Sequence, residues 1–166
     1  ELENKKFKVE SVEAYSNSVA KGYVIAQSVS ASSKLTEGSK VILTISKGKE
    51  AITVKFVAPN GQTSSASKTV TYGDAYGTLP TATRNGYTFN GWFTSQTGGT
   101  QVKEDTISKL TSTQTLYAQW KAITYRVAYN GNGATSGKMD HSIYSYDSTY
   151  ALTSNTYTKT GYTFRG

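Results

Sequence analysis

The chain has 166 residues and a formal charge of +7; 36% of its residues are hydrophobic and 17% charged, with 13 Tyr and 15 Gly against 2 Pro and no Cys. That balance excludes a highly charged disordered chain, disulfides, thiolate metal sites and a cysteine nucleophile, and it favours short strands and tight turns over long helices. The positive excess is spread as +2 over residues 1–50, +3 over 51–121 and +2 over 122–166, without a basic run. A nucleic-acid partner is therefore not expected, because its footprint would be clustered; a weak general attraction to anionic polymers remains compatible.

In chain order, Phe7 and Val9 begin a first strand, Tyr23-Val24-Ile25-Ala26 forms a second and Val41-Ile42-Leu43-Thr44-Ile45 a third, with a turn over 34–39. Three strands make a small core, since small domains bury a low fraction of their surface. Residues 47–50, Lys-Gly-Lys-Glu, form the junction to the next unit. There Ile52, Val54 and Phe56 alternate with Thr53 and Lys55, a period of two that turns one face to a core. Val70 and Tyr72 repeat the pattern. Tyr87, Phe89 and Phe93 are expected on one side of a further strand, with Gly91 marking a bulge or close backbone approach. Leu116, Ala118 and Trp120 line the last strand. Asn60-Gly61 and Gly98-Gly99 are turn dipeptides, and 103–110 is read as a short helix or turn.

Self-similarity organises the rest of the chain. Asn85-Gly86-Tyr87-Thr88-Phe89-Asn90-Gly91 returns as Thr160-Gly161-Tyr162-Thr163-Phe164-Arg165-Gly166, Tyr72 and Tyr76 return as Tyr146 and Tyr150, and Ile52, Val54 and Phe56 return as Ile123, Tyr125 and Val127. The second copy has no counterpart to residues 92–120 and is expected to be weakly ordered or to borrow strands. No apolar run approaches the ~20 residues that span a bilayer. The opening Glu1-Leu2-Glu3-Asn4-Lys5-Lys6 is unlike a signal peptide, and an excised fragment is expected.

Two families are suggested by these residues. Tyr15-Ser16-Asn17, Lys21-Gly22-Tyr23-Val24-Ile25-Ala26-Gln27-Ser28 and Glu37-Gly38-Ser39-Lys40-Val41 through Ile45-Ser46-Lys47-Gly48 resemble the C-terminal two thirds of a PASTA domain, in which a helix precedes the sheet; Glu1 to Lys6 would be its last turn. Ala20 stands where that family usually has Pro. Tyr72-Gly73, Leu79-Pro80, Arg84-Asn85-Gly86-Tyr87-Thr88-Phe89-Asn90-Gly91-Trp92-Phe93, Thr97-Gly98-Gly99 and Thr115-Leu116-Tyr117-Ala118-Gln119-Trp120 resemble an internalin B repeat, also known as the Listeria-Bacteroides repeat. Residues 122–166 resemble the first half of another copy, with Leu152-Thr153 in place of Leu-Pro. The resemblance implies a mainly β or α+β architecture of small tandem modules: a partial PASTA-like sheet over 1–49, then β-grasp-like B repeats over 50–121 and, truncated, 122–166. It also implies secreted or wall-anchored proteins, mostly of Gram-positive bacteria, and brings no catalytic residues.

Tyr87, Phe89, Trp92, Tyr117 and Trp120 have two possible uses, as filling for a small interior or as a glycan-stacking platform. Core packing is the expected use for most. Trp92 and Tyr117, which alternate away from their core-facing neighbours, are the surface interaction candidates. Catalytic chemistry is not expected. The single His141 sits in Asp140-His141-Ser142, whose adjacent side chains diverge, whereas a triad converges through space. Glu104-Asp105 reads as an exposed pair, and neither an Asp-rich calcium loop nor a phosphate-binding glycine motif is present. No catalytic, cofactor or metal residues are assigned. An intramolecular Lys–Asn isopeptide bond is disfavoured by the scarcity of acids.

Three functions remain: a non-enzymatic stalk or adhesive module at the cell surface, a peptidoglycan-binding unit acting through the PASTA-like part, and an accessory region of a secreted cell-wall or glycan enzyme. Cell-wall polymers, or a protein or glycan on a host or bacterial surface, are the expected partners. No membrane insertion is expected within this segment.

Overall fold

The computed structural model describes residues 6–166; the helical turn expected at the extreme N-terminus lies outside them, apart from Lys6, which is in a turn. Strands β1 (Lys8–Ala14), β2 (Val24–Gln27) and β3 (Lys40–Ser46) form one sheet in the order β1-β3-β2. β1 runs parallel to β3, with Lys8 opposite Lys40, and β2 is antiparallel to β3. Among the described residues of this module Val41 and Ser46 are buried, and Val12, Tyr23 and Val24 are exposed. Ser46 is held in place: its Oγ donates to the Val19 carbonyl at 2.7 Å and accepts from the Gly48 amide at 3.0 Å.

The next unit is closed. β4 (Ala51–Val57), β6 (Ser67–Thr71), β8 (Tyr87–Phe93), β9 (Gln101–Val102) and β10 (Gln114–Ala122) form a five-stranded sheet in the order β6-β4-β10-β8-β9, and β5 (Gln62–Thr63) pairs with β7 (Ala82–Thr83). The first and last long strands, β4 and β10, are parallel neighbours at its centre, and every other pairing in the sheet is antiparallel. Val54, Phe56, Val70, Tyr76, Ala82, Trp92, Val102, Leu116 and Ala118 form the core, with Phe89 and Trp120 packed against it. The period-two expectation holds for β4 and β10. Residues 103–110 contain turns and a bridge but no helix. They run against the 73–77 loop through Gly73 N to Ser108 O at 2.7 Å, Ser108 N to Asp74 O at 2.8 Å and Tyr76 N to Thr106 O at 2.9 Å. Because backbone groups on both loops are satisfied by one another, the segment has no need of helical bonds. Among the described residues there is no helix, so the architecture is mainly β and the α+β alternative is not realised.

One irregularity reorganises β8. Tyr117 and Ala118 face Phe93 and Trp92, Gln119 faces Gly91, and Trp120 faces Phe89, so Asn90 is an extra residue on β8. Gly91, at φ 120°, supplies the backbone that this bulge requires. The bulge inverts the alternation, so Phe89 and Trp92 both face the core, three residues apart, and Phe93 faces outward. Simple alternation places Phe93 on the side of Tyr87 and Phe89, and Trp92 on the outer surface; the structure reverses both.

In the second copy, β11 (Thr124–Val127) and β12 (Ser142–Ser145) form an antiparallel pair, with Thr124 opposite Ser145. Its counterparts of core residues are open: Tyr150 is 47% exposed where Tyr76 is 5%, and Phe164 is 65% exposed where Phe89 packs on the core. Elsewhere this copy is held by hydroxyl contacts, such as Tyr157 Oη donating to the Tyr129 carbonyl at 3.1 Å.

Candidate interaction surface

Trp92 is 2% exposed. Its ring meets Phe56 edge-on at 4.8 Å and Phe89 at 5.5 Å, and its Nε1 donates to the Pro80 carbonyl at 2.8 Å. With its apolar faces covered and its only donor used, this indole has nothing to offer a ligand. Trp92 is therefore a core residue and not the surface residue that simple alternation makes it, and the physical cause is the bulge at Asn90–Gly91.

Tyr117 stays at the surface, half-buried on the outer face of β10. It lies between Val57 on β4 and Phe93 on β8 in the sheet register, which places these three side chains in a row across the central strands. Val57 is exposed and Phe93 half-buried. Beside them the Gln119 Nε2 donates to the carbonyls of Ser95 at 3.1 Å and Gly98 at 2.6 Å, which fixes the loop at the edge of this face. The row offers apolar area with one phenolic hydroxyl, a surface suited to stacking on a sugar ring or packing on a protein side chain. Val57 was readable, because the alternation that buries Phe56 turns its neighbour outward. Phe93 was not, because its facing depends on where the bulge falls.

The other aromatics are committed elsewhere. Trp120 donates from Nε1 to the Pro59 carbonyl at 3.1 Å and packs against Phe89 at 5.6 Å. Tyr87 lies under the Arg84 guanidinium, 3.6 Å from its ring centroid, and donates to Asp147 at 3.2 Å. Its phenol is pushed above the ordinary value, first by desolvation and then by that hydrogen bond.

His141 is exposed, and the structure does not gather Asp140-His141-Ser142 into a relay. Asp140 pairs with Lys138 at 3.1 Å, while the Ser142 hydroxyl bonds Tyr129 and Thr153, each at 3.0 Å. These contacts act on Tyr129: hydroxyls of Ser142, Thr153 and Tyr144 stabilise its phenolate and lower its pKa to about 8. Among the described residues no three His, Asp or Glu side chains gather as a metal would require. Glu104 accepts from the Leu79 amide at 3.2 Å, a structural role within the repeat. In the first module, Tyr15 and Tyr23 are exposed, and Lys47 Nζ stands 4.6 Å from the Tyr15 ring centroid.

The repeat geometry and the internal duplication have a family counterpart: the sequence profile of the Listeria-Bacteroides repeat domain matches residues 53–119 and 125–166. The chain belongs to the Listeria-Bacteroides repeat family. The second match is to a truncated copy, and the PASTA domain profile matches residues 1–47. A curated relative, a putative Gly-rich membrane protein of Evansella cellulosilytica, is 40% identical over 57 residues, which is 33% of this chain and 7% of that protein. The chain thus spans a small part of that relative's length. Among the described residues, no helix is long and apolar enough to cross a membrane. PASTA domains bind peptidoglycan or related ligands. The Listeria-Bacteroides repeats and the PASTA match together point to a surface-associated chain with a repeat or binding module.

Proposed function

We propose that this segment is a non-enzymatic cell-surface stalk that also carries a contact face, the Val57, Tyr117 and Phe93 row. The observation that supports this reading is the division of labour within the complete Listeria-Bacteroides repeat. Its Trp and most of its Phe residues pack the interior, and the aromatic residues left on the outer sheet face lie next to one another. A face like this suits a protein or glycan on a host or bacterial surface, with the segment lying outside the cell or in the wall. The test is capture of surface glycans and proteins by the full chain, compared with Tyr117→Ser combined with Val57→Thr. Binding should weaken by roughly tenfold, the effect of losing about 1.4 kcal/mol. Equal capture by both chains, with folds intact, would remove the contact face and leave the stalk. Turnover in a broad hydrolase screen that His141→Ala abolishes without unfolding would overturn the non-enzymatic reading.

The PASTA match favours a second reading, peptidoglycan binding through residues 1–47. Specific muropeptide recognition would saturate and resist salt, whereas attraction of dispersed lysines to wall polymers would fade as the Debye length shrinks from ~10 Å at 0.1 M to ~3 Å at 1 M. We expect the salt-sensitive result. Ala20 stands where the PASTA family usually has Pro, and Val12, Tyr23 and Val24 of this module are exposed, whereas ligand sites commonly have apolar groups gathered in a concave wall. Salt-resistant, saturable muropeptide binding that is unaffected by the Tyr117 and Val57 changes would put this reading first.

A further inference from the structure

The junction between the two repeats is built from residues that recur. β10 ends at Ala122 and β11 begins at Thr124, so a single residue, Ile123, joins them. Both of its backbone groups are used: its amide donates to the Gly86 carbonyl at 3.0 Å, and its carbonyl accepts from the Tyr146 amide at 2.8 Å. The Tyr146 ring lies directly on Gly86. A Cβ at that position would stand 2.4 Å from the ring carbons, so the contact requires glycine, as does the backbone φ of +75°. Next to it, Tyr87 meets Tyr146 edge-on at 5.6 Å and 76°, and Tyr87 Oη donates to Asp147 at 3.2 Å. The Arg84 guanidinium stands over the Tyr87 ring, 3.6 Å from its centroid.

We propose that Gly86–Tyr87 is a socket for the Tyr146–Asp147 turn, and that this socket locks the two Listeria-Bacteroides repeats head to tail into one stiff unit. The two sides come from different parts of the repeat. The socket is the Gly-Tyr element that returns as Gly161–Tyr162, and the inserted tyrosine is the counterpart of Tyr72. A contact between unlike patches propagates along a tandem array instead of closing on itself. The second copy repeats the elements of the socket: Gly161 has φ +80°, Tyr162 follows it as Tyr87 follows Gly86, and Lys159 stands over the Tyr162 ring at 4.6 Å as Arg84 does over Tyr87. Gly161–Tyr162 is thus a second socket of the same chemistry, fitted to the tyrosine turn of another repeat of this kind. Hydrogen bonds at the only connecting residue remove the hinge that a longer linker would provide.

This inference deepens the stalk reading and rests on it for its meaning, so its test reads stiffness with no partner present. The chain has no cysteine, which lets spin labels be placed at Ser112→Cys and Arg126→Cys across the junction in the full chain. An Arg126→Cys and Thr149→Cys pair within the second copy serves as control. We expect a single narrow distance distribution across the junction. Tyr146→Ala should broaden it several-fold while the control pair keeps its width, and Tyr87→Phe, which removes only the bond to Asp147, should broaden it less. A broad cross-junction distribution in the parent chain alongside a narrow control, or an unchanged width in Tyr146→Ala, would overturn the lock. Either result would leave the partner-binding test of the contact face untouched. If the control pair broadens along with the junction pair, the second copy itself is loose and the stiff unit is refuted.

Discussion

Trp92 and Tyr117 are separated by a strand register yet have opposite roles, and substitution should show it. Trp92 is buried against Phe56 and Phe89 with its N–H satisfied by Pro80, so Trp92→Ala removes packing and leaves a cavity. Losses of about 3–5 kcal/mol are usual for such a change. Chemical denaturation followed by Tyr fluorescence should show the repeat unfolding at much lower denaturant, while Tyr117→Ala, on the outer face, shifts the midpoint only slightly. A Trp92→Ala midpoint no lower than that of Tyr117→Ala would contradict the core assignment. Tyr129 gives a second test at this scale. Its hydroxyl partners hold its pKa at about 8, below the ordinary 10 of an unfolded chain. Because the folded pKa is depressed, the associated stability is fully present above about 10 and is lost as pH falls through about 8. Absorbance at 295 nm should therefore show one tyrosine ionising ahead of the rest, and Tyr129→Phe should remove that early step. A titration with no such step, or one unchanged in the variant, counts against the hydroxyl cluster around Tyr129.

At the scale of elements, the complete Listeria-Bacteroides repeat depends on close approaches between strands and loops. Gly61 follows the β4 strand, and a Cβ there would lie 2.5 Å from the Thr83 carbonyl and 2.7 Å from the Trp120 ring. The carbonyl belongs to β7 and cannot swing aside. Gly61→Ala is therefore expected to cost about 1–3 kcal/mol through overpacking, whereas Gly98→Ala meets no neighbour and pays only for its left-handed backbone. Thermal unfolding of the two variants side by side checks the ranking, and equal shifts would refute it. Lys68 gives a related dependence. Its ammonium on β6 donates to the carbonyls of Tyr76 and Thr78, pinning the loop that carries the buried Tyr76. The pairings of 73–77 with 103–110 show why local sequence gave no decisive reading of the latter segment. Its hydrogen-bond partners lie about thirty residues upstream, beyond any window in which periodicity can register.

For the whole molecule, burial is uneven along the chain, and stability should follow it. The nine core residues belong to the complete repeat, while the first module is a single three-stranded sheet and the second copy exposes Tyr150, Leu152, Tyr162 and Phe164. Hydrogen exchange should be slowest in β4 and β10 and fast over most of 124–166, because local opening is cheapest where few apolar groups are buried. Ile123 and Tyr146, tied into the junction, should exchange more slowly than their neighbours in the second copy. Uniformly slow exchange across 124–166 would contradict this ordering. By itself the sequence determined the strand faces of β4 and β10, the duplication, the PASTA and repeat resemblances and the mainly β composition, because alternation and motif spacing are local properties of the chain. Only the tertiary structure decided that Trp92 points inward, that Phe93 and Val57 join Tyr117 outside, and that Tyr146 seats on Gly86. Each of those depends on which residue of one strand faces which residue of another, and a one-residue bulge is enough to exchange the two faces.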